Sequence, residues 1–438
     1  MSHLLSARSQ MGISLAFHII FAAIGVSFPL MMTIAEWRWL RTREPVYQVL
    51  AKRWAKGAAI LFAIGAVSGT VLSFELGLLW PRFMEKAGSV IGMPFSLEGF
   101  AFFTEAIFLG IYLFGWERVP EFLHLLSGVM VAVSGVTSAI FVTFVNAWMN
   151  TPAGFDLVNG EFTNIRPFEA MFNPAALPEA AHMVLAAFCA VGFATAGVHS
   201  LLMLRRGRNR FDEVAIGIAL TVGSIAVLAQ GVSGDAIARM VAKTQPVKLA
   251  SLEGQFKTEV GAPLRIGGLP DTKLRETKHA IEIPHGLSLL AFHDPNATVK
   301  GLNDFPEADW PFVTAVHISF QVMVGLGSML SCVALLWGWF AWKRKQIGDH
   351  PLLLKLLVLC APLGFVALEA GWVVTELGRQ PWIIVGVLRT KDAVTEFPDL
   401  QLPFLLVSLL YFVLGCIVLW LLAAHVIADP RNRDADAV

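Results

Sequence analysis

Gly371-Trp-Val-Val-Thr-Glu-Leu-Gly-Arg-Gln-Pro-Trp382 closes an otherwise apolar run that starts near residue 354. A charged side chain at membrane depth costs a few kcal/mol unless it is paired or ligated. Glu376 and Arg379 therefore need partners, and their three-residue spacing puts them on one helix face. Glu376 is an acid able to hold a metal or a proton, and Trp372 and Trp382 flank the pair.

The rest of the chain has the same character. Of 438 residues, 56% are hydrophobic and 15% charged, where a soluble domain carries about 25% charged residues. The formal net charge of zero argues against a nucleic-acid partner. Cys189, Cys332, Cys360 and Cys416 sit in apolar runs without paired spacing and read as packing residues. The opening MSHLLSARSQMGISLAFHII has no small-residue cleavage site after its long apolar run, so the first helix is expected to stay.

Crossing a bilayer takes about 20 apolar residues. Segments near 13–37, 56–80, 94–116, 122–148, 181–204, 213–233, 310–342, 354–377 and 402–427 qualify. The expected fold is an all-α polytopic membrane protein with about nine transmembrane helices. Basic residues fall on alternate connections: Arg38, Arg41, Arg43, Lys52, Arg53 and Lys56; then Arg205, Arg206, Arg208 and Arg210; then Lys343, Arg344 and Lys345; and Arg431 and Arg433 in the tail. Arg118 alone votes the other way. The positive-inside rule places the N-terminus outside and the C-terminus in the cytoplasm. The chain divides into six helices over 1–233, an outer loop over 234–309, and three helices with a short tail over 310–438. A loop of that length is usually functional or disordered.

Several residues can carry chemistry. His18 and His182 lie near the starts of the first and fifth helices, and Met323 lies in the seventh. Taken singly, each is more often a packing or hydrogen-bonding residue. Together, a histidine and a methionine are a known axial pair for a low-spin electron-transfer haem. Glu98 and Glu105 are seven residues apart, so both carboxylates share one face of the third helix, about 10 Å apart. They read as a proton relay, or as acids that cap a neighbouring helix or pair with an arginine. Glu75 is a further acid, equally able to pair with Arg82. In the outer loop, Lys248 and Glu253 taken alone are ordinary solvated charges.

These features in combination resemble subunit I of the cytochrome bd-type quinol oxidases, in the short-loop form akin to cyanide-insensitive oxidases. The resemblance spans essentially all nine helices, and the GWxxxExGRQPW signature is highly specific. It implies that His182 and Met323 hold a low-spin haem b. It implies that His18 and Glu376 serve a high-spin haem b and a haem d (or a further haem b), with Trp372 and Arg379 completing the motif. It also implies that Lys248 and Glu253 bind and deprotonate quinol, ubiquinol or menaquinol, without acting on the haems. It favours the relay for Glu98 and Glu105. Gln321 stands where some members of the family carry arginine, which implies a changed haem potential and not a lost ligand.

The implied activity is electrogenic quinol:oxygen oxidoreduction in a bacterial cytoplasmic membrane. Quinol would give up protons outside, O₂ would take protons from the cytoplasm, and no pumping step is required. Expected partners are a second membrane subunit, a possible small accessory subunit and the lipid bilayer. The residues alone leave two other readings open, a proton-coupled transporter using Glu98, Glu105 and Glu376, and a membrane cytochrome that only shuttles electrons.

Overall fold

In a computed structural model that describes residues 2–343 and 346–427, the described residues include nine helices long and apolar enough to cross a membrane. They are α1 (His3–Thr42), α2 (Pro45–Leu79), α3 (Pro81–Phe114), α4 (Glu121–Asn150), α5 (Ala176–Arg206), α6 (Arg210–Thr244), α7 (Val313–Trp342), an eighth span made of α8 (Pro351–Cys360) and α9 (Leu363–Arg379), and α10 (Gln401–Leu422). Arg344, Lys345, Arg431 and Arg433 of the orientation argument lie outside the described residues.

The helices outrun the lengths expected from the sequence because hydropathy reports only the part facing lipid. α6 continues eleven residues past 233, through Asp235, Arg239 and Lys243. Among those charges, Asp235 and Arg239 pair across one turn at 2.7 Å. The long loop thus starts at Gln245, not at 234. The eighth span is also not continuous. It breaks at Ala361-Pro362, where proline lacks the N–H that a helix interior needs.

Sequential hairpins build the bundle: α1 packs on α2, α3 on α4, and α5 on α6, while α7 packs on α9 and α10 lies against α1 and α2. The α5–α6 crossing is close because glycines meet, and a methyl group added at Gly192 would stand 2.7 Å from the Gly223 backbone. The main core joins Met31, Trp54, Phe193, Leu220 and Leu357 from five spans.

The long loop is a folded cap. A short helix (Pro246–Leu252) leads into antiparallel ladders, Leu264–Ile266 with Ile281–Ile283 and Leu269–Asp271 with Glu276–Lys278. α7 fastens this cap to the bundle. The His317 ring nitrogens lie 2.7 Å from Leu252 O and 3.0 Å from Gly267 O. One turn on, the Gln321 amide accepts from Gly267 N–H at 2.9 Å and donates to Arg265 O at 3.0 Å. Gln321 is therefore a clasp between span and loop.

Candidate functional site

His18 and His182 occupy matching surroundings. His18 Nδ1 lies 2.9 Å from Ser68 Oγ, and that hydroxyl donates to Ile64 O at 3.0 Å and Gly65 O at 3.1 Å. A hydroxyl has one proton, so Ser68 accepts from Nδ1–H, which leaves Nε2 with its lone pair. His182 repeats the arrangement, with Nδ1 2.8 Å from Ser233 Oγ and Ser233 donating to Gln230 O at 3.1 Å. Fixing one ring nitrogen by a neighbour is how a metal-ligating imidazole is aimed. A glycine follows each serine. A methyl group at Gly69 would come within 3.0 Å of His18 Cε1, and one at Gly234 within 3.7 Å of His182 Cε1. The chain has three Val-Ser-Gly triplets, at 67–69, 133–135 and 232–234, and nothing in the sequence alone says which of them face a histidine.

Met323 lies against the signature stretch. A methyl group at Gly371 would stand 3.1 Å from Met323 Sδ. Five residues further on, both oxygens of Glu376 are engaged, Oε1 by Asn146 Nδ2 at 2.5 Å and Oε2 by Arg379 Nη2 at 2.5 Å. Arg379 is 5% exposed, and its Nε and Nη1 have no hydrogen-bond partner among the described residues. Leaving buried N–H groups unmet is costly, so the guanidinium is set to receive an anionic oxygen. Trp372 packs at the edge of the main core.

Lys248 comes to the same place. Its Nζ donates to Asn150 Oδ1 at 3.1 Å, one turn along α4 from Asn146. Burial pushes the ammonium down to about 8, Arg379 presses the same way, and Glu179 and Glu376 pull it back up. Asn146, Asn150 and Glu179 had not been singled out. Glu179, in the first turn of α5, carried no signal beyond being an acid three residues before His182.

Glu253 faces different neighbours at the end of the short helix. It is 1% exposed, and burial pushes its carboxyl up to about 8 against the opposing positive charge of Arg265. Its Oε2 has no hydrogen-bond partner among the described residues.

Glu98 and Glu105 both turn toward α4. Ser138 Oγ donates to Glu98 Oε1 at 3.3 Å, and a methyl group at Gly135 would sit 3.3 Å from Glu105 Oε1. Among the described residues, neither carboxylate pairs with an arginine or caps a helix. The pairing of Glu75 with Arg82 is also corrected. Glu75 Oε1 accepts from Gln10 Nε2 at 2.9 Å, while Arg82 pairs with Glu396, because Arg82 lies beyond the end of α2 and points away.

This donor set fits haem. Two imidazoles present free Nε2 atoms, a thioether and a carboxylate stand beside the signature stretch, and Arg379 has two unbonded N–H groups suited to a propionate. No cluster of three or more histidine, cysteine, aspartate or glutamate residues able to hold a bare metal ion occurs among the described residues.

Comparison with known proteins gives the same direction. The model of a family described as cytochrome bd terminal oxidase subunit I matches residues 6–430. A bd oxidase structure from Geobacillus thermodenitrificans superimposes with a TM-score of 0.92 at 39% identity, covering 98% of this chain and 99% of that one. A Bacillus subtilis (strain 168) chain provisionally named cytochrome bd menaquinol oxidase subunit I is 38% identical, over 99% of each chain. Cytochrome bd ubiquinol oxidase subunit 1 of the same organism is 30% identical over 96% of this chain and 93% of its own length.

Proposed function

The chain belongs to the cytochrome bd terminal oxidase subunit I family, and from that premise we propose that it oxidises quinol beneath its outer loop and reduces O₂ to water at haems held within the bundle. The family is haem-binding, and its members are membrane oxidoreductases of electron transport. The observation that carries the reading is the convergence of Lys248, from the loop, with Glu376 and Arg379, from the signature stretch. A quinol-side residue and a haem-side residue thereby share one polar cluster.

His182 and Met323 are assigned as the axial ligands of a low-spin haem b, and His18 and Glu376 as the residues serving a high-spin haem b and a haem d or further haem b. When bound, these haems supply the one-electron steps and the site of O₂ reduction. The protein does the rest. Ser68 and Ser233 orient the imidazoles, and Arg379 neutralises an anionic substituent. Glu253 takes a quinol hydroxyl proton, a role suited to a buried carboxyl poised near 8. Lys248 holds the quinol oxygen, and Glu105 and Glu98 pass protons inward for water formation.

The basic residues clustered around the α1–α2 and α5–α6 turns support an outside N-terminus. Quinol protons are then released outside and consumed protons drawn from the cytoplasm, so charge is separated without a pump. We place the protein in a bacterial cytoplasmic membrane, beside a second membrane subunit and possible small accessory subunit. The ninth span offers an apolar face for lipid or protein, with Leu405 61%, Phe412 70% and Leu419 70% exposed. A pyridine haemochrome assay with a reduced-minus-oxidised spectrum of the purified complex, combined with quinol-driven oxygen uptake, tests the reading. Absence of haem would overturn it in favour of a transporter. Haem without oxygen uptake would leave an electron shuttle.

A further inference from the structure

We propose that Glu36 and His124, buried where α1, α3 and α4 meet, form the intake of the proton route that reaches Glu105. The proposal rests on the relay role assigned to Glu105 above. Glu36 is 0% exposed and His124 2% exposed. His124 Nδ1 lies 2.7 Å from Glu36 Oε1, and its Nε2 lies 2.9 Å from Tyr112 O. Glu36 Oε2 has no hydrogen-bond partner among the described residues. An acid and an imidazole are thus buried together, with the Tyr112 hydroxyl also facing the carboxylate.

A narrow seam runs from this pair to Glu105. On α4, His124, Gly128, Val131 and Gly135 recur on one face; on α3, Glu105, Leu109 and Tyr112 do; on α1, Gly25, Pro29, Thr33 and Glu36 do. The three faces make a seam of eleven residues, about 16 Å long. Glycines let the three helices close onto one another along it. A methyl group at Gly128 would strike Thr33 Oγ1 and Tyr112 at 2.7 Å, and one at Gly135 would meet the Glu105 carboxylate at 3.3 Å. Between them lies a small cavity lined by Gly25, Pro29, Phe62, Glu105, Leu109 and Val131, with room for about one water molecule. Pro29 leaves no N–H of its own there, and Thr33 Oγ1 donates to Pro29 O at 2.7 Å. Trp116 closes the far end, its ring 4.1 Å from that of His124, with Lys52 Nζ 5.0 Å from the Trp116 ring. A proton taken up by the His124–Glu36 pair passes along Thr33 and the cavity water to Glu105, and no electron moves with it.

The test uses the full haem-loaded complex in lipid vesicles, with quinol-driven O₂ reduction and proton uptake followed by a pH dye. Two variants address the seam. Glu36→Gln removes the proton carrier. Gly25→Val fills the cavity from a position whose added methyl group would lie 3.8 Å from Glu105 Oε1. Each should slow proton uptake about tenfold and enlarge the solvent deuterium isotope effect, with the haem spectrum unchanged. Should Glu36→Gln lose haem, Gly25→Val decides alone. Wild-type uptake in a spectrally intact Gly25→Val protein overturns the proposal. If both variants take up protons normally while Glu105→Gln is slow, the intake lies elsewhere and the relay role of Glu105 stands. Normal uptake in Glu105→Gln as well removes the relay itself.

Discussion

The side chain of Lys248 lies along Gly378, so that a methyl group at Gly378 would meet Lys248 Cε at 3.0 Å and Cγ at 3.1 Å. Gly378 is two residues past Glu376 and directly precedes Arg379. The loop and the signature stretch are therefore fitted to each other by contact as well as by charge. Gly378→Val should push Lys248 aside and lower quinol oxidation at least about tenfold. The reduced-minus-oxidised spectrum should shift as well, because Glu376 shares the cluster. A wild-type spectrum with wild-type turnover would mean that the two elements are only neighbours.

Met323→Leu roughly preserves volume and removes the sulfur. The low-spin haem b signal is expected to weaken or turn high-spin, while bundle stability changes by less than about 1.5 kcal/mol. Spectra of the purified variant check this, and an unchanged low-spin signal takes Met323 off the ligand set.

Glu253 gives a pH signature. Its carboxyl is pushed up to about 8 by burial, so it is protonated below that value and becomes a base above it. Quinol oxidation at low quinol concentration should therefore rise as pH increases through about 8. Glu253→Gln should lose that limb and about a hundredfold in rate, with haem spectra intact. Loss of haem in that variant would make the loop residue structural.

Glu105→Gln keeps size and hydrogen bonding but cannot carry a proton. Oxygen reduction should slow about tenfold, while electron transfer from quinol to the low-spin haem stays fast in single-turnover measurements. Wild-type turnover with wild-type charge translocation would leave the third helix with packing alone.

Purification from native membranes should bring down a second multi-helix chain with this one. A stable, fully active complex of this polypeptide alone would refute the expected heteromer.

Much of this was legible in the sequence, for identifiable reasons. Runs of about 20 apolar residues define spans whatever else surrounds them, and Glu376 and Arg379 announced themselves by cost. The helix ends were not legible, because the polar turns of α6 past 233 carry no hydropathy signal. Nor were the partners of buried groups. Ser68, Ser233, Asn146 and Glu179 look ordinary until the fold sets each against a histidine, a carboxylate or a lysine 50, 51, 230 or 69 residues away. Glu36 and His124 give no signal for the same reason, having no spacing relation across 88 residues.

The serine that aims each histidine stands on the next helix along the chain: Ser68 on α2 for His18, Ser233 on α6 for His182. Each pair closes within a single up-and-down hairpin whose two arms are adjacent in the order of synthesis. Both imidazoles can therefore be preset while later spans are still being threaded into the bilayer. The Glu376 side waits for a segment made some 140 residues after Ser233. Maturation of the protein should thus be staged, with the hairpin-borne imidazoles ready first and the carboxylate arriving last.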